Sequence, residues 1–546
     1  MAAVLSVTTG RSRLRLMQQQ FDYVIVGAGS AGCVLADKLT EDRHTKVLLI
    51  EAGHRDKMEM LRVPAGFNYV AFDRRVIWDY KTRPEPGLKG RSIDYVRGRV
   101  LGGSSSINAM VHVRGNRADY DGWAALGCTG WAWSEVLPHF RSIEKHVDGP
   151  SELHGAEGPM PVTHAQRHPA SDLFIRAMTQ AGLRHTSDFD AHGQEGAGYY
   201  HQTVLRGRRQ SAARTFLKRA LKRPNLKLCT GATVERIHFD GKAATGAWVS
   251  RNGAPAIKVS GRRIVLCGGT VGSSQLLQLS GIGPANRLAE FGIPVLVDRP
   301  AVGENVQDHY QAPVVIRTRD MPTLNRYAGG ISLLGQILRY YIRRDGLLAY
   351  NATQAGAFVR SSPEVAHPDL QILFAPGALD PAAHPRKLDK SPGVTAIVCA
   401  LQPQSRGHIR ITSRNVNDYP DILGGYLDHH YDRQMMLKGI RLLRGIFAQE
   451  AFRPYVAKEF APGADLTSDE DILDFCRRKG DSVHHPVGSC RMGSDADAVA
   501  DPRLHVRGVD GLYVADASIM PRIVRGNTNA ATLMIASRAA EIMRSE

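Results

Sequence analysis

The sequence predicts an α/β fold spread over more than one domain. Three observations carry that expectation. Residues 21–53 run strand, glycine turn, helix and strand in the order of a βαβ unit. Two later stretches, 264–283 and 510–535, again lead an apolar strand through a turn into a helix. The chain, at 546 residues, exceeds what one hydrophobic core encloses.

The first unit reads FDYVIVGAGSAGCVLADKLTEDRHTKVLLIEAG from Phe21. A buried strand, Tyr23 to Val26, enters Gly27, Gly29 and Gly32 at GxGxxG spacing, followed by a helix over Cys33 to Thr40 and a second strand, Val47 to Ile50, that ends on Glu51. Gly27 permits the tight turn, Gly29 lets the backbone approach a pyrophosphate, and Gly32 lets helix and strand pack closely. Amides at the helix start then face the phosphates. Glu51 lies 19 residues past Gly32, where a carboxylate accepts hydrogen bonds from an adenosine ribose. This context predicts dinucleotide binding, and the fingerprint alone does not separate FAD from NAD.

Residues 97–115, RGRVLGGSSSINAMVHVRG, carry a run of small residues, Gly102 to Ser106, that can pass close to a ring or phosphate, and Val111 and Val113 mark the segment as buried. Residues 264–283, IVLCGGTVGSSQLLQLSGIG, read as a strand, a glycine turn and an amphipathic helix capped by glycine. In 510–535 a strand, Leu512 to Val514, leads to Asp516, a loop and a helix starting near Asn529. GHIRIT (407–412) alternates like a half-exposed strand, and 432–448 has apolar residues at helical spacing. There are no repeats or low-complexity tracts.

Composition narrows the function classes. The net charge is +17, but the basic residues are dispersed, with no aromatic interleaving and no nucleic-acid motif, so a nucleic-acid partner is not expected. No apolar run is long enough to cross a bilayer. Seven scattered cysteines without CxxC spacing argue against a disulfide framework or a zinc module and fit a reducing compartment. The first twenty residues contain arginine and no acid. They read as a disordered or over-extended start, and organellar targeting stays open.

Residues 481–493, DSVHHPVGSCRMG, pose the chemical question. A zinc site from His484, His485 and Cys490 lacks a fourth ligand and a standard spacing, so no metal is expected there. Cys490 has no hydrolase signature around it and reads as a small buried residue. A satisfied structural histidine and a lone catalytic base both stay open on the stretch alone.

Together with the N-terminal fingerprint and the three segments above, HHPVGSCRMG resembles the glucose–methanol–choline family of flavin oxidoreductases, in order from about Phe21 to the C-terminus, and most nearly its bacterial alcohol and choline dehydrogenases. The resemblance implies an α/β plus α+β fold. A Rossmann-like FAD-binding domain would be built from discontinuous segments, residues 21–155, 203–307 and 478–546. An antiparallel-sheet substrate-binding domain would take 156–202 and 308–477, with residues 1–20 an extension. It implies noncovalent FAD, because Ile107 stands where some relatives carry a flavin-linking histidine. Gly27, Gly29, Ser30, Ala31, Gly32, Glu51, Ala52, Val100, Gly103, Ser104, Asn108, Ala109, Met110, Val111, Val234, Asp516, Ala517 and Asn529 would line the cofactor. His485 falls on the family's catalytic base and Asn527, in GNTNAA, on its second catalytic position, while His484 is read as supporting structure.

The implied reaction is oxidation of an alcohol to an aldehyde, with a hydride passing from carbon to flavin N5 and a proton to histidine, whose ordinary pKa suits that task. Choline enzymes carry an acid before their AGGF stretch, and Gln354 stands there in this chain, which favours a neutral primary alcohol. Pocket residues are expected within Tyr340 to Gln354 and Gln371 to Pro376. Electrons would pass to a quinone or other carrier. An oxygen-using oxidase, a flavin lyase and a non-catalytic binding protein are the alternatives. The chain is placed in the cytoplasm, and its basic surface is suited to peripheral docking on the inner membrane.

Overall fold

The computed structural model describes residues 18–546 except 192, 252–253, 328 and 380–386, so most of the N-terminal extension lies outside the described residues. β1 (Gln20–Val26) leads through α1 (Ser30–Leu39) to β2 (Val47–Glu51). Then come β3 (Val111–His112), β4 (Glu144–His146), β5 (Met160–His164), α2 (Pro169–Gln180), β6 (Gly196–Tyr199) and β7 (His201–Gln202). The middle holds β8 (Leu226–Thr230), β9 (Thr233–Asp240), β10 (Ala243–Arg251), β11 (Ala254–Leu266) and α3 (Gly269–Leu279). β12 (Tyr310–Thr318), α4 (Gly330–Arg343), β13 (Ala355–Val359), β14 (Leu370–Ala375), β15 (Gly393–Ala400), α5 (His430–Phe447) and β16 (Val456–Ala461) follow. The chain closes with β17 (Asp481–Ser482), β18 (Leu512–Val514) and α6 (Thr528–Arg544).

The first sheet has parallel neighbours in the order β8-β2-β1-β11-β18, so five segments far apart in sequence share it. Its central strands are short apolar runs, as expected of strands covered on both faces; every residue of β2 is buried. The long β11 pairs in parallel with β1 and β18 through its C-terminal half and in antiparallel with β10 through its N-terminal half. α1 and α6 lie together on this sheet, and the Tyr23 hydroxyl donates to the Met543 carbonyl at 3.0 Å. α6 is buried nearly all round, the pattern of a helix enclosed by protein.

The second large sheet is antiparallel, ordered β16-β12-β15-β14-β13-β6, with β17 also pairing with β12. α2 and α5 cover it. Phe174 of α2 stacks on Phe374 of β14 with ring centroids 4.2 Å apart. A Cβ at Gly439 of α5 would overlap Val398, so that glycine sets the helix-to-sheet distance. A smaller sheet, β3-β7-β5-β4, stands apart from both.

Three local expectations change. α1 begins at Ser30 rather than Cys33, because Gly32 is part of its first turn and packs the helix onto the glycine loop. α3 is buried on nearly all sides instead of amphipathic. Its polar residue Gln278 donates to the Ile409 carbonyl and accepts from the Ile411 amide, so a neighbouring segment covers the face that would have met water. That segment is GHIRIT, whose His408–Arg410 strand forms a separate ribbon with Asp421–Leu423 and is mostly buried rather than half-exposed.

A Cβ at Gly32 would overlap the Gly27 carbonyl oxygen, and neither backbone can retreat. Gly32→Ala is expected to lower stability in thermal or denaturant unfolding by at least the roughly 1–3 kcal/mol of ordinary overpacking. Gly122, inside the helix Arg117–Ala125 with open space around its Cα, is the contrast. Gly122→Ala should raise stability by about 0.5–1 kcal/mol.

Candidate active site

The glycine loop, the 97–111 segment and the start of α6 converge. Gly27 donates its amide to the Ile50 carbonyl at 2.8 Å, and Gly102 donates to the Ala28 carbonyl at 2.7 Å. Gly103 lies against Gly29 so closely that a Cβ on it would come 2.7 Å from the Gly29 Cα. Ser30 at the start of α1 donates to Asn529 Oδ1 in the first turn of α6 at 2.8 Å. Gly29, Ser30, Ala52, Ser104, Asn108, Ala109, Ala517, Asn527 and Asn529 are each partly accessible although buried residues surround them. Ala31, Val100, Met110, Val111 and Val234 are buried beside them.

Glu51 ends β2 and is buried. Its two oxygens accept the Ala28 and Gly53 amides, each at 2.8 Å. Burial pushes its carboxyl up to about 7, against those two hydrogen bonds and nearby Arg99. Asp516 differs in kind. Its carboxylate is consumed by the Gly269 and Ser518 amides and by the Ser273 and Ser518 hydroxyls, so it can meet a ligand only through its backbone.

An extended dinucleotide fits these residues. α1 starts without any side-chain cap, so its first amides keep their donors for phosphate oxygens. Gly29 stays partly accessible, and a Cβ there would come no nearer than 4.0 Å to the Cys267 carbonyl oxygen and the Gly103 Cα, which leaves backbone that a ligand can approach. Arg209 adds an anion-seeking group that the sequence reading missed. It is fully buried and donates to Asn108 Oδ1 at 2.7 Å, while its Nε and Nη2 have no partner. Burial without a counter-charge pushes its pKa down to about 9. Ile107 is buried and aliphatic, with no atom able to bond covalently to a flavin.

The second cluster surrounds His485. The loop after β17 turns at His484, whose φ of 61° is left-handed and whose carbonyl accepts from Arg97 at 2.7 Å. The His485 amide donates to Asp308 Oδ1 at 2.8 Å, and Tyr426 and Ser482 hydroxyls donate to Asp308 Oδ2 at 2.6 and 2.5 Å. The ring of His485 meets His309, Nδ1 to Nδ1, at 3.0 Å, and Asn527 Nδ2 at 3.2 Å through Nε2. His309 Nε2 lies 3.0 Å from the Leu401 carbonyl.

These contacts decide the tautomers. A carbonyl only accepts, so His309 carries its proton on Nε2 and presents a lone pair at Nδ1. His485 must then donate from Nδ1, which leaves Nε2 as the lone-pair nitrogen facing the Asn527 amide. Burial, with His309 and Arg97 near by, holds the His485 pKa well below its ordinary value. Burial likewise pushes His309 down to about 4. Asn527 stands at the N-cap of α6, and its Oδ1 accepts from Gln371 Nε2 at 3.5 Å.

Of the expected pocket segments, Gln371 reaches this cluster, whereas Tyr340 bonds to the Gly207 carbonyl and Gln354 to Asn351. Cys490 is buried, its thiol pushed up to about 12 by burial, and all seven cysteines are free. His309 and Asp308 were missed by sequence reading, although the adjacent pair Asp308-His309 was the available signal.

Fold and site define a dinucleotide-dependent oxidoreductase with a histidine–asparagine pair. Residues 21–311 match the N-terminal and 403–536 the C-terminal model of the GMC oxidoreductases, and the chain belongs to that family. Its cofactor is FAD and it acts on CH–OH donors. It is 39% identical to an alcohol dehydrogenase [acceptor] of Pseudomonas putida, over 96% of this chain and 95% of that one. It is 40% identical to the mitochondrial choline dehydrogenase of Homo sapiens, over 97% and 90%. Among solved structures, pyridoxine 4-oxidase from Mesorbium loti matches with a TM-score of 0.87 and 30% identity, over 96% of this chain and 99% of that one.

Glu51→Gln should leave one of the Ala28 and Gly53 amides facing an NH2 group, at a cost of about 1–3 kcal/mol in stability. Because the folded-state pKa of Glu51 is raised, its contribution before cofactor binding is full below about pH 4.5 and lost as pH rises through about 7. The thermal midpoint of cofactor-stripped protein should therefore fall across that window in wild type and change less in Glu51→Gln.

Proposed function

We propose that this chain oxidises a neutral primary alcohol to an aldehyde, with His485 as the base and Asn527 holding the substrate oxygen. The observation that carries the reading is the fixed tautomer of His485, which presents an unprotonated Nε2 3.2 Å from the Asn527 amide. An alcohol oxygen that faces both, in place of their contact with each other, donates its proton to Nε2 and accepts from Asn527 Nδ2. FAD, when bound, supplies the two-electron acceptor for the alcohol carbon. The proton stays at Nε2 while Nδ1–H remains on His309. His309, itself anchored on the Leu401 carbonyl, fixes the ring plane. Asp308 holds the His485 backbone, and its engaged carboxylate offers little to a cationic substrate, which favours a neutral one.

FAD would be held by Gly27, Gly29, the Ser30 to Gly32 amides, Glu51 and Ala52 on the adenosine and phosphate side. Val100, Gly103, Ser104, Asn108 to Val111 and Asn529 would lie along the flavin, Val234 near the adenine, and Asp516 and Ala517 by backbone. The domain division is read the same way: residues 21–155, 203–307 and 478–546 around the parallel sheet, and 156–202 with 308–477 around the antiparallel one.

Electrons go to a quinone at a membrane surface. No helix among the described residues is long and apolar enough to cross a membrane. α4, however, exposes Ile331, Leu334, Leu338 and Ile342 along one stripe, at 88, 66, 62 and 70%. Arg343 lies beside it, and the net charge of +17 suits an anionic bilayer. An interfacial helix of this kind accounts for apolar residues that would otherwise stand in water.

His485→Ala should slow anaerobic flavin bleaching by alcohol roughly a hundredfold or more, and His484→Ala far less. A flavin that no alcohol bleaches overturns the reading. Choline should bleach it less readily than a neutral primary alcohol. His309→Ala should lower kcat about tenfold with KM little changed, since it frees the ring of His485. The depressed pKa of His485 puts the acid limb of the wild-type kcat/KM profile below the usual histidine range. Activity should be lost only as pH falls through that limb. In sedimentation with phosphatidylglycerol-containing vesicles, Leu334→Glu/Leu338→Glu should bind about tenfold less than wild type.

A further inference from the structure

The small sheet collects histidines and acids that the alcohol chemistry does not use. His112 of β3 pairs with His201 of β7, and His201 pairs with His164 of β5, so three histidines face one another across adjacent strands. His146 ends β4, and its ring lies edge-on to that of His201 with centroids 4.7 Å apart. Asp148 follows two residues later. One ligand atom each from His146, Asp148 and His201 lies within 4.8 Å of the others.

Two features set this group apart from an ordinary buried polar cluster. His146 and His201 are only 6 and 3% exposed, yet the Nε2 of each has no hydrogen-bond partner. A buried ring nitrogen left unpaired costs about 1–3 kcal/mol, and here two share one cluster. Each potential ligand also has a partner behind it. Asp188 Oδ1 lies 3.7 Å from His201 Nδ1, and Asp188 Oδ2 meets His154 Nε2 at 2.8 Å. His164 Nε2 lies 2.9 Å from Asp148 Oδ1, which leaves the second carboxylate oxygen to a ligand. The Asp148 amide donates to His146 Nδ1 at 3.3 Å and Asp148 Oδ2 lies 3.8 Å from the same nitrogen, so Nδ1 holds the lone pair of that ring and faces the carboxylate. A carboxylate behind a ligating imidazole, as Asp188 stands behind His201, is a recurrent support of metal sites.

We infer that His146, His201 and Asp148 bind a divalent transition metal of the zinc class. Two imidazoles and a carboxylate suit zinc, with water completing a tetrahedron on the exposed Asp148 side. The ion would tie β4, β5 and β7 together behind β3, whose Val111 precedes His112 in the flavin-lining segment. It is a site separate from His485 and takes no part in the alcohol chemistry. Strand pairing, not spacing along the chain, assembles it, since the ligands come from residues 146 to 201.

The test is metal retention by the FAD-loaded protein after EDTA treatment and exchange into buffered Zn(II), read by elemental analysis. Wild type should retain about one equivalent, and Asp148→Ala and His201→Gln should weaken zinc binding about tenfold or more. Asp148 is exposed, so its variant folds whatever happens at His201. His485→Ala should retain zinc like wild type, which separates this site from the alcohol chemistry. Zinc-edge X-ray absorption should register two imidazoles on the bound ion. Retention below about a tenth of an equivalent in wild type overturns the site, as does equal retention in wild type and Asp148→Ala.

Discussion

Asp308 is the constraint on which the candidate site rests. It is a buried carboxylate between β12 and the loop that follows β17, and it accepts from Tyr426, Ser482 and the His485 amide at once. Burial raises its pKa, and those donors keep the ion affordable in a place where a bare charge could not stay. Because Tyr426 comes from one stretch and Ser482 and His485 from another, the carboxylate fixes where the second sheet meets the turn that presents His485. His309 follows Asp308 directly, so the same anchor sets the ring that orients the His485 imidazole.

Asn527 arrives from the other side. It caps α6, the helix enclosed against the parallel sheet, and Asn529 two residues later touches Ser30 of the glycine loop. A single helix start thus reaches both the glycine loop and His485. The geometry explains why GNTNAA and HHPVG depend on each other although about forty residues separate them. It also explains why Thr270 and Ser489, which exchange hydrogen bonds with each other's segments, pack α3 against the HHPVG stretch.

The glycine unit was legible because each of its residues does its work within a few positions. Gly27, Gly29, Gly32 and Glu51 appear in the structure as a turn, a partly accessible backbone, a close helix-to-loop contact and a carboxylate on local amides. The strand Leu512–Val514 and the helix over 432–448 were equally plain, since periodicity is a local property. Legibility failed where burial came from a distant segment. The polar side of α3 read as solvent-facing until Ile409 and Ile411 covered it, and GHIRIT read as half-exposed for the same reason. Nothing local sets Arg209 apart from the other dispersed basic residues, and only the fold makes it a buried cation.

By itself, then, the sequence determined the βαβ dinucleotide unit, the order of the motifs and the residue types that alcohol oxidation requires. Tertiary structure alone decided that Nε2 of His485 is the unprotonated nitrogen, because that follows from a carbonyl at Leu401 acting through His309. It alone placed the apolar stripe of α4 in the open and lined up the histidines of β3, β7 and β5. The reason is common to all three. Exposure, tautomer and cross-strand neighbours depend on what other parts of the chain supply, and no local pattern contains that information.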